Sequence, residues 1–325
     1  MNLRRIYVIS MILCMLFVAA GSPAEVSAAG FPTKTVRLIV PFAAGGSTDL
    51  MARVLVQPLS KRLGDAEIIV ENRPGGSGAI ATMEMLRSAP DGHTLMLASP
   101  SNAIMPPILS DVGYTNESII AIAQATELPT NVYVKADSEI KTLEDLIKAA
   151  DKDFGKMTYS TSGAQSIHDV IAKLFQHVIK KPGLLTHIPY NSGTEGLTAL
   201  LGGHVDISFA NASYAENYVK QQGTLKVLAT SDEGGDANLP DVTSFKSLGY
   251  EVTLTSWWGV FAPVGTPKEI IELLDNAIKD SLADEETVKG FTNLGMTVNY
   301  LNHTDFSVKY LSQYDQLKEV LKDLF

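Results

Sequence analysis

The sequence predicts an α/β protein of two lobes, with mostly parallel sheets around a ligand cleft, and three observations carry that prediction. Short apolar strands alternate with amphipathic helices along most of the chain, the pattern of repeated β-α-β units. Removing an N-terminal leader, residues 1–28, from the 325 leaves 297, more than one hydrophobic core usually holds. No long flexible linker separates the halves; Glu127-Leu128-Pro129 and the Gly234–Leu239 region are the boundary-like spots, and both are short. Two lobes joined by crossing strands fit this better than independent domains in series.

Taken in order, Val36–Val40 is an apolar strand, and Leu50, Val54, Leu55 and Leu59 recur at helical spacing over Thr48 to Leu63. Ile68–Val70 leads to a helix over Ala79–Arg87 and then to a third strand, Thr94–Ala98. The order β-α-β-α-β implies a parallel sheet with helices on both faces. In the middle, Asn131–Val134, Met157–Ser160, Thr186–Pro189, Val205–Phe209 and Leu225–Thr230 read as strands. Helices are expected between them at Thr142–Ala150, where Asp145 completes a capping box with Thr142, and at Ser166–Val178, Gly196–Leu201 and Ala212–Gln221. Trp257–Pro263 reads as a strand. Thr266-Pro267-Lys268-Glu269 then reads as a helix start, with Thr266 as N-cap, Pro267 at N1 and Glu269 at N3, and a last helix runs from about Thr304 to the end.

The leader combines Arg4 and Arg5, an apolar run from Ile6 to Ala20, and the small-residue site Val26-Ser27-Ala28, so residues 1–28 read as a secretory signal peptide cleaved near Ala28. The single cysteine, Cys14, follows Met11-Ile12-Leu13 rather than the small residue a lipid-anchor site needs, so it is expected to leave with the leader. The mature chain then has neither disulfide nor thiol chemistry. Cleavage lowers Lys+Arg from 26 to 24 and Asp+Glu from 36 to 35, a net charge of −11, which argues against nucleic acid as a partner.

The chemistry concentrates in loops of small residues at the carboxyl ends of strands, where open α/β sheets bind ligands. In Phe42-Ala43-Ala44-Gly45-Gly46-Ser47-Thr48-Asp49 there is no lysine, histidine or cysteine. A helix start needs none to attract an anion, because its first N–H groups lack partners and the helix dipole is positive there. Gly45 and Gly46 allow close backbone approach, and Ser47, Thr48 or Asp49 can cap the helix. Pro74–Gly78, Ser160–Ser166 and Asn191–Thr194 are loops of the same kind, so several such loops are expected to converge on one cleft. A small carboxylate suits it.

Rival motifs are weaker. Gly76-Ser77-Gly78-Ala79-Ile80-Ala81 matches a dinucleotide fingerprint, but no acidic residue ends the following strand, Thr94–Ala98, to hold a ribose; close packing at a helix start is the expected role. No phosphate-binding Gly-Lys-Ser/Thr loop is present. Ser166-Ile167-His168-Asp169 contains the residue types of a hydrolytic triad, but neighbours on one helix cannot form a relay, so His168 is expected to be a hydrogen-bonding residue of the helix start. The six histidines show no metal-ligand spacing. Of Trp257 and Trp258, at least one is expected in the core.

The stretches "VRLIVPFAAGGSTDLMAR", "VENRPGGSGAIA", "APDGHTLML", "HIPYNSGTEGLTALLGGHVDISFAN", "LPDVTSF" and "WWGVFAPVGTP" occur in order over essentially the whole mature chain. Together they resemble the extracytoplasmic substrate-binding receptors of tripartite tricarboxylate transporters, the Bug-type family. The resemblance implies a type II periplasmic-binding-protein fold, with residues 29–128 plus 250–325 as lobe 1 and 129–249 as lobe 2. It implies a periplasmic, monomeric, non-enzymatic receptor without cofactor or metal, which closes on a small carboxylated solute and delivers it to membrane permease subunits. Service to a sensor kinase is the alternative; a secreted hydrolase or dinucleotide enzyme is the remaining rival.

By the same resemblance, the Phe42–Asp49 and Ser160–His168 loops grip one carboxylate from opposite lobes, with Ser162, Gly163, Ser166 and His168 contributing from the second. Ser99, Ser101, Tyr190 and Asn211 lie on the segments that would contact the rest of the solute. Ala43-Ala44 stand where many relatives carry prolines, Ala164-Gln165 is a variable version of the second loop, and Ala210 stands where an Asp is common. All three departures bear on ligand choice.

Overall fold

A computed structural model describes residues 30–236 and 239–324, so the leader and Cys14 lie outside the described residues. The first expected unit forms as written: β1 (Val36–Val40), α1 (Ser47–Arg62), β2 (Ile68–Asn72), α2 (Ala79–Leu86) and β3 (Thr94–Ala98), with β1 parallel to both β2 and β3. Two short helices follow, α3 (Pro100–Ala103) and α4 (Met105–Leu109).

The middle unit begins with β4 (Ile119–Lys135), far longer than the Asn131–Val134 segment that alternation alone picks out. It continues through α5 (Leu143–Lys152), β5 (Thr158–Thr161), α6 (Ile167–Val178), β6 (Thr186–Pro189), α7 (Gly193–Leu201), β7 (Ile207–Asn211) and β8 (Leu225–Thr230). The expected Ala212–Gln221 helix is realised in part as a π-helical turn, Glu216–Gln221. The capping box of Thr142 and Asp145 at α5 is present.

The last part holds β9 (Thr255–Pro263), α8 (Lys268–Leu282), α9 (Glu285–Asn293), β10 (Val298–Leu301) and α10 (His303–Leu324). The start of α8 differs from the expected one. Thr266 spends its hydroxyl on the Pro263 carbonyl at 2.9 Å, and Pro267 takes the N-cap position instead.

Strand order is β2-β1-β3-β9-β4-β7-β5-β6, with β8 and β10 also paired to β4. The outer pairs are parallel, but every pairing of β4 and β9 is antiparallel, so the sheet is mixed where the halves meet. The reason lies in β4 itself: Ile119–Pro129 pairs with β9, and Thr130–Lys135 pairs with β7 and β8. Pro129, which has no N–H for a ladder, stands at the changeover. One strand thus belongs to both halves, giving the two-lobed architecture with the chain crossing between lobes.

Helices cover the sheet in both halves, and one hydrophobic cluster runs from Trp257 and Phe306 to Ile171 and Phe175. Leu55 and Leu59 of α1 and Leu274 and Ile278 of α8 are buried over β1, β3 and β9. Ile171 and Phe175 of α6 are buried with Tyr159 of β5 and Phe209 of β7. Trp257 is sealed in the core against Phe306 and Tyr310 of α10, with its indole N–H donating to Gln313. Gly295, after α9, has φ +70°, and a Cβ there would collide with the Ser213 carbonyl after β7, so the absent side chain lets the two lobes touch. No helix among the described residues is long and apolar enough to cross a membrane.

Candidate functional site

The two principal small-residue loops fold into the same device. In the first, Gly45 takes φ +82° and its N–H donates to the Asp49 carboxylate at 2.8 Å. Asp49 is buried to 1 % exposure and also accepts from Arg53 and Asn72, both at 3.0 Å. Burial acts to raise its pKa, but the hydrogen bonds from Arg53, Gly45 and Asn72 prevail and hold it below the usual carboxylate value. In the second loop Gln165 takes φ +60°, its N–H donates to Asp169 at 2.9 Å, and Lys173 pairs with Asp169 at 3.1 Å. Tyr159 and the N-cap arrangement of Ser166 complete that start.

In both loops, therefore, the carboxylate four residues on consumes the first N–H and shapes the turn. The first-turn N–H groups of Ser47 and Thr48 in α1 have no partner within the helix, and both residues line the space between the lobes. In α6 the Ile167 N–H reaches across to Ser101 Oγ at 3.2 Å. The cleft so formed has a volume of about 780 Å³, within the usual range for small-molecule sites.

Phe42, Ala43, Ala44, Gly45, Gly46, Ser47 and Thr48 line it from the first loop, Ser99 and Ser101 from the segment after β3, and Ser162, His168 and Asn211 from the opposite lobe. Four of the expected residues are placed elsewhere. Asp49 lies sealed behind the loop; Gly163 and Ser166 shape the second turn through hydrogen bonds within it. Tyr190 packs on the hydrophobic cluster of α7 and β8. The Asn191–Thr194 loop does reach the cleft, whereas Pro74–Gly78 does not. In that loop Gly78 sits against Asn102, whose amide donates to the Ser77 carbonyl at 3.2 Å, so the space a phosphate would need is filled by packing.

His168 forms a hydrogen-bonded row with Ser162, at 2.7 Å from Nδ1, and with Asn211 Oδ1, at 3.0 Å from Nε2. Asn211 Oδ1 can only accept, so Nε2 carries the proton and Nδ1 accepts from the Ser162 hydroxyl. Burial pushes the His168 pKa down, and a neutral amide gives an imidazolium no counter-charge. The row ties the Ser162 loop, the start of α6 and the end of β7 together.

Several wall residues carried no signal in the sequence. Trp258 lines the cleft and donates its indole N–H to Thr48 Oγ1 at 2.9 Å. Tyr214, Glu216, Ser256 and the Asn293–Met296 turn arrive through tertiary placement. Only the aromatic pair Trp257-Trp258 hinted at one of them. Among the described residues no group of three or more His, Cys, Asp or Glu side chains is placed to hold a metal.

Two α/β lobes sharing a long strand, with the starts of α1 and α6 lining one cleft, define the class of two-lobed solute-binding proteins. The family model described as the tripartite tricarboxylate transporter family receptor matches residues 51–324, and the chain belongs to that family. It is similar to a "UPF0065 protein in gbd 5'region" of Cupriavidus necator, 34 % identical over 291 residues, 89 % of this chain and 86 % of that protein. Among solved structures, the periplasmic binding protein BugD is 26 % identical with a TM-score of 0.78, covering 90 % of this chain and 98 % of that one. MatC from Rhodopseudomonas palustris, solved with bound malate, is 25 % identical with a TM-score of 0.78, covering 89 % and 99 %. The chain is thus a solute-binding receptor of the Bug type.

Proposed function

We propose that the protein captures a small carboxylated solute by closure of its lobes about the crossings near Pro129 and Tyr250, and delivers it to the permease subunits of a tripartite tricarboxylate-type transporter. The observation that carries this reading is the pair of helix starts, α1 and α6, lining one cleft from opposite lobes with backbone donors and no lysine or arginine among the described lining residues. Each hydrogen bond to a charged group contributes about 1.5–3 kcal/mol. Three or four such bonds, with closure and apolar contact from Phe42 and Trp258, reach the roughly 8 kcal/mol of a micromolar Kd. In this reading the Phe42–Thr48 loop and the Ser162–His168 segment hold the carboxylate, while Ser99, Ser101 and Asn211 contact the rest of the solute. Malate in MatC supports the solute class.

No catalytic step is assigned, since the Ser162–His168–Asn211 row lacks an acid to balance a protonated histidine. Residues 29–128 plus 250–325 and residues 129–249 form the two lobes in this proposal, and residues 1–28 are a signal peptide cleaved near Ala28, with the mature protein periplasmic and monomeric. Thermal-shift screening of the mature protein against a carboxylic-acid library tests the reading. A ligand at 100 times its Kd stabilises the fold by about 2.7 kcal/mol, which gives a measurable shift. Shifts confined to a few carboxylates support it; shifts with nucleotides or other compounds and none with any acid overturn it.

A further inference from the structure

The charge on the cleft wall is one-sided. Among its described lining residues there is no lysine and no arginine, and the formally charged side chains among them are Glu195 and Glu216. The third helix start, at α7, repeats the device of the other two: the Asn191 N–H donates to the Glu195 carboxylate at 3.2 Å. In the first two starts a base follows four residues later, Arg53 for Asp49 and Lys173 for Asp169. At α7 that position is Ala199, so the charge of Glu195 has no such base on its own helix. Glu216 pairs with Lys220 at 3.1 Å, and Lys220 is not part of the wall.

A second, independent feature points to an occupant. Ser256, on β9, lines the cleft and is 1 % exposed, and its hydroxyl is buried with no hydrogen-bond partner among the described residues. A buried hydroxyl left unpaired is unfavourable, so a solute group that reaches it from the cleft on closure gains a hydrogen bond.

Resting on the carboxylate-receptor reading, we propose that the solute is an amino carboxylate: its carboxylate lies at the starts of α1 and α6, and its ammonium group faces Glu195 and Glu216. A solute with a second carboxylate would bring like charge toward these glutamates with no base in the wall to receive it. An ammonium group there meets opposite charge, and the hydroxyls of Ser256 and Tyr214 supply acceptors.

The test is titration calorimetry of the mature protein with amino carboxylates, both α- and ω-amino, beside monocarboxylates and dicarboxylates of matched chain length. At least one amino carboxylate is expected to bind about tenfold more tightly than its dicarboxylate counterpart, a difference of about 1.4 kcal/mol. Glu195→Gln retains an oxygen acceptor for the Asn191 N–H and should cut that preference by roughly fivefold or more, with Glu216→Gln as the second variant. Equal or tighter binding of dicarboxylates overturns the amino-carboxylate assignment and leaves the receptor reading standing. Preference unchanged in both variants overturns the role given to the glutamates, and failure of every carboxylate to bind overturns both readings.

Discussion

The Ile167 N–H donates to Ser101 Oγ at 3.2 Å, so the start of α6 in one lobe is tied to α3 in the other. In this form a serine hydroxyl occupies a donor that faces the site proposed for the solute carboxylate. Ser101→Ala therefore should speed hydrogen exchange at the Ile167 amide by about fivefold in the free protein, because local opening there loses a hydrogen bond worth about 1 kcal/mol. Exchange as slow as in the native chain would show that the contact does not persist in solution.

Gly46 has φ −75°, and a Cβ there meets the Ala43 carbonyl oxygen at 3.4 Å, so the fold accommodates a side chain. The cradle does not, if the solute approaches backbone closely. Gly46→Val is expected to weaken solute binding at least about tenfold while the melting temperature changes little, and native affinity in the variant would sink the backbone-cradle account. Gly45 is a different case: at φ +82° any side chain strains the backbone, so its replacement lowers stability as well.

The protein has two tryptophans, of which Trp257 is sealed in the core and Trp258 lines the cleft beside Thr48. Solute binding should change the intrinsic fluorescence, and Trp258→Phe should remove most of that change. A response that persists in the variant would place the reporting group away from the cleft.

His168 and His187 are held below the ordinary histidine pKa by burial. Below about pH 6.5 the unfolded chain takes up protons that the folded one refuses, so this stability is fully present above that pH and declines as pH falls toward the folded values. The melting temperature should drop between about pH 6.5 and 5, and His168→Gln should flatten that part of the profile. An unaltered slope would mean that His168 is protonated without cost in the fold.

Most of the elements were legible in the sequence because their causes are local. Leu55 and Leu59 recur at helical spacing, Thr142 and Asp145 cap each other within one turn, and the glycines of the Phe42–Asp49 loop mark the turn between β1 and α1. Local chemistry misplaced elements where a distant partner intervened: Thr266 spends its hydroxyl on Pro263, and β4 extends because β9 offers it a ladder.

The sequence by itself determined the alternation of strands and helices, the two-lobed class and the helix starts that supply backbone donors, since periodicity, caps and turn glycines act over a few residues. Only the tertiary structure decided which loops share the cleft, excluding Pro74–Gly78 and Tyr190 and bringing in Trp258, Tyr214, Ser256 and Glu216. It also decided that Asp49 and Asp169 are buried and close their own turns. The physical reason is distance along the chain: Trp258 and Thr48, bonded at 2.9 Å, are 210 positions apart, and nothing in either segment encodes the other until the sheet places them together.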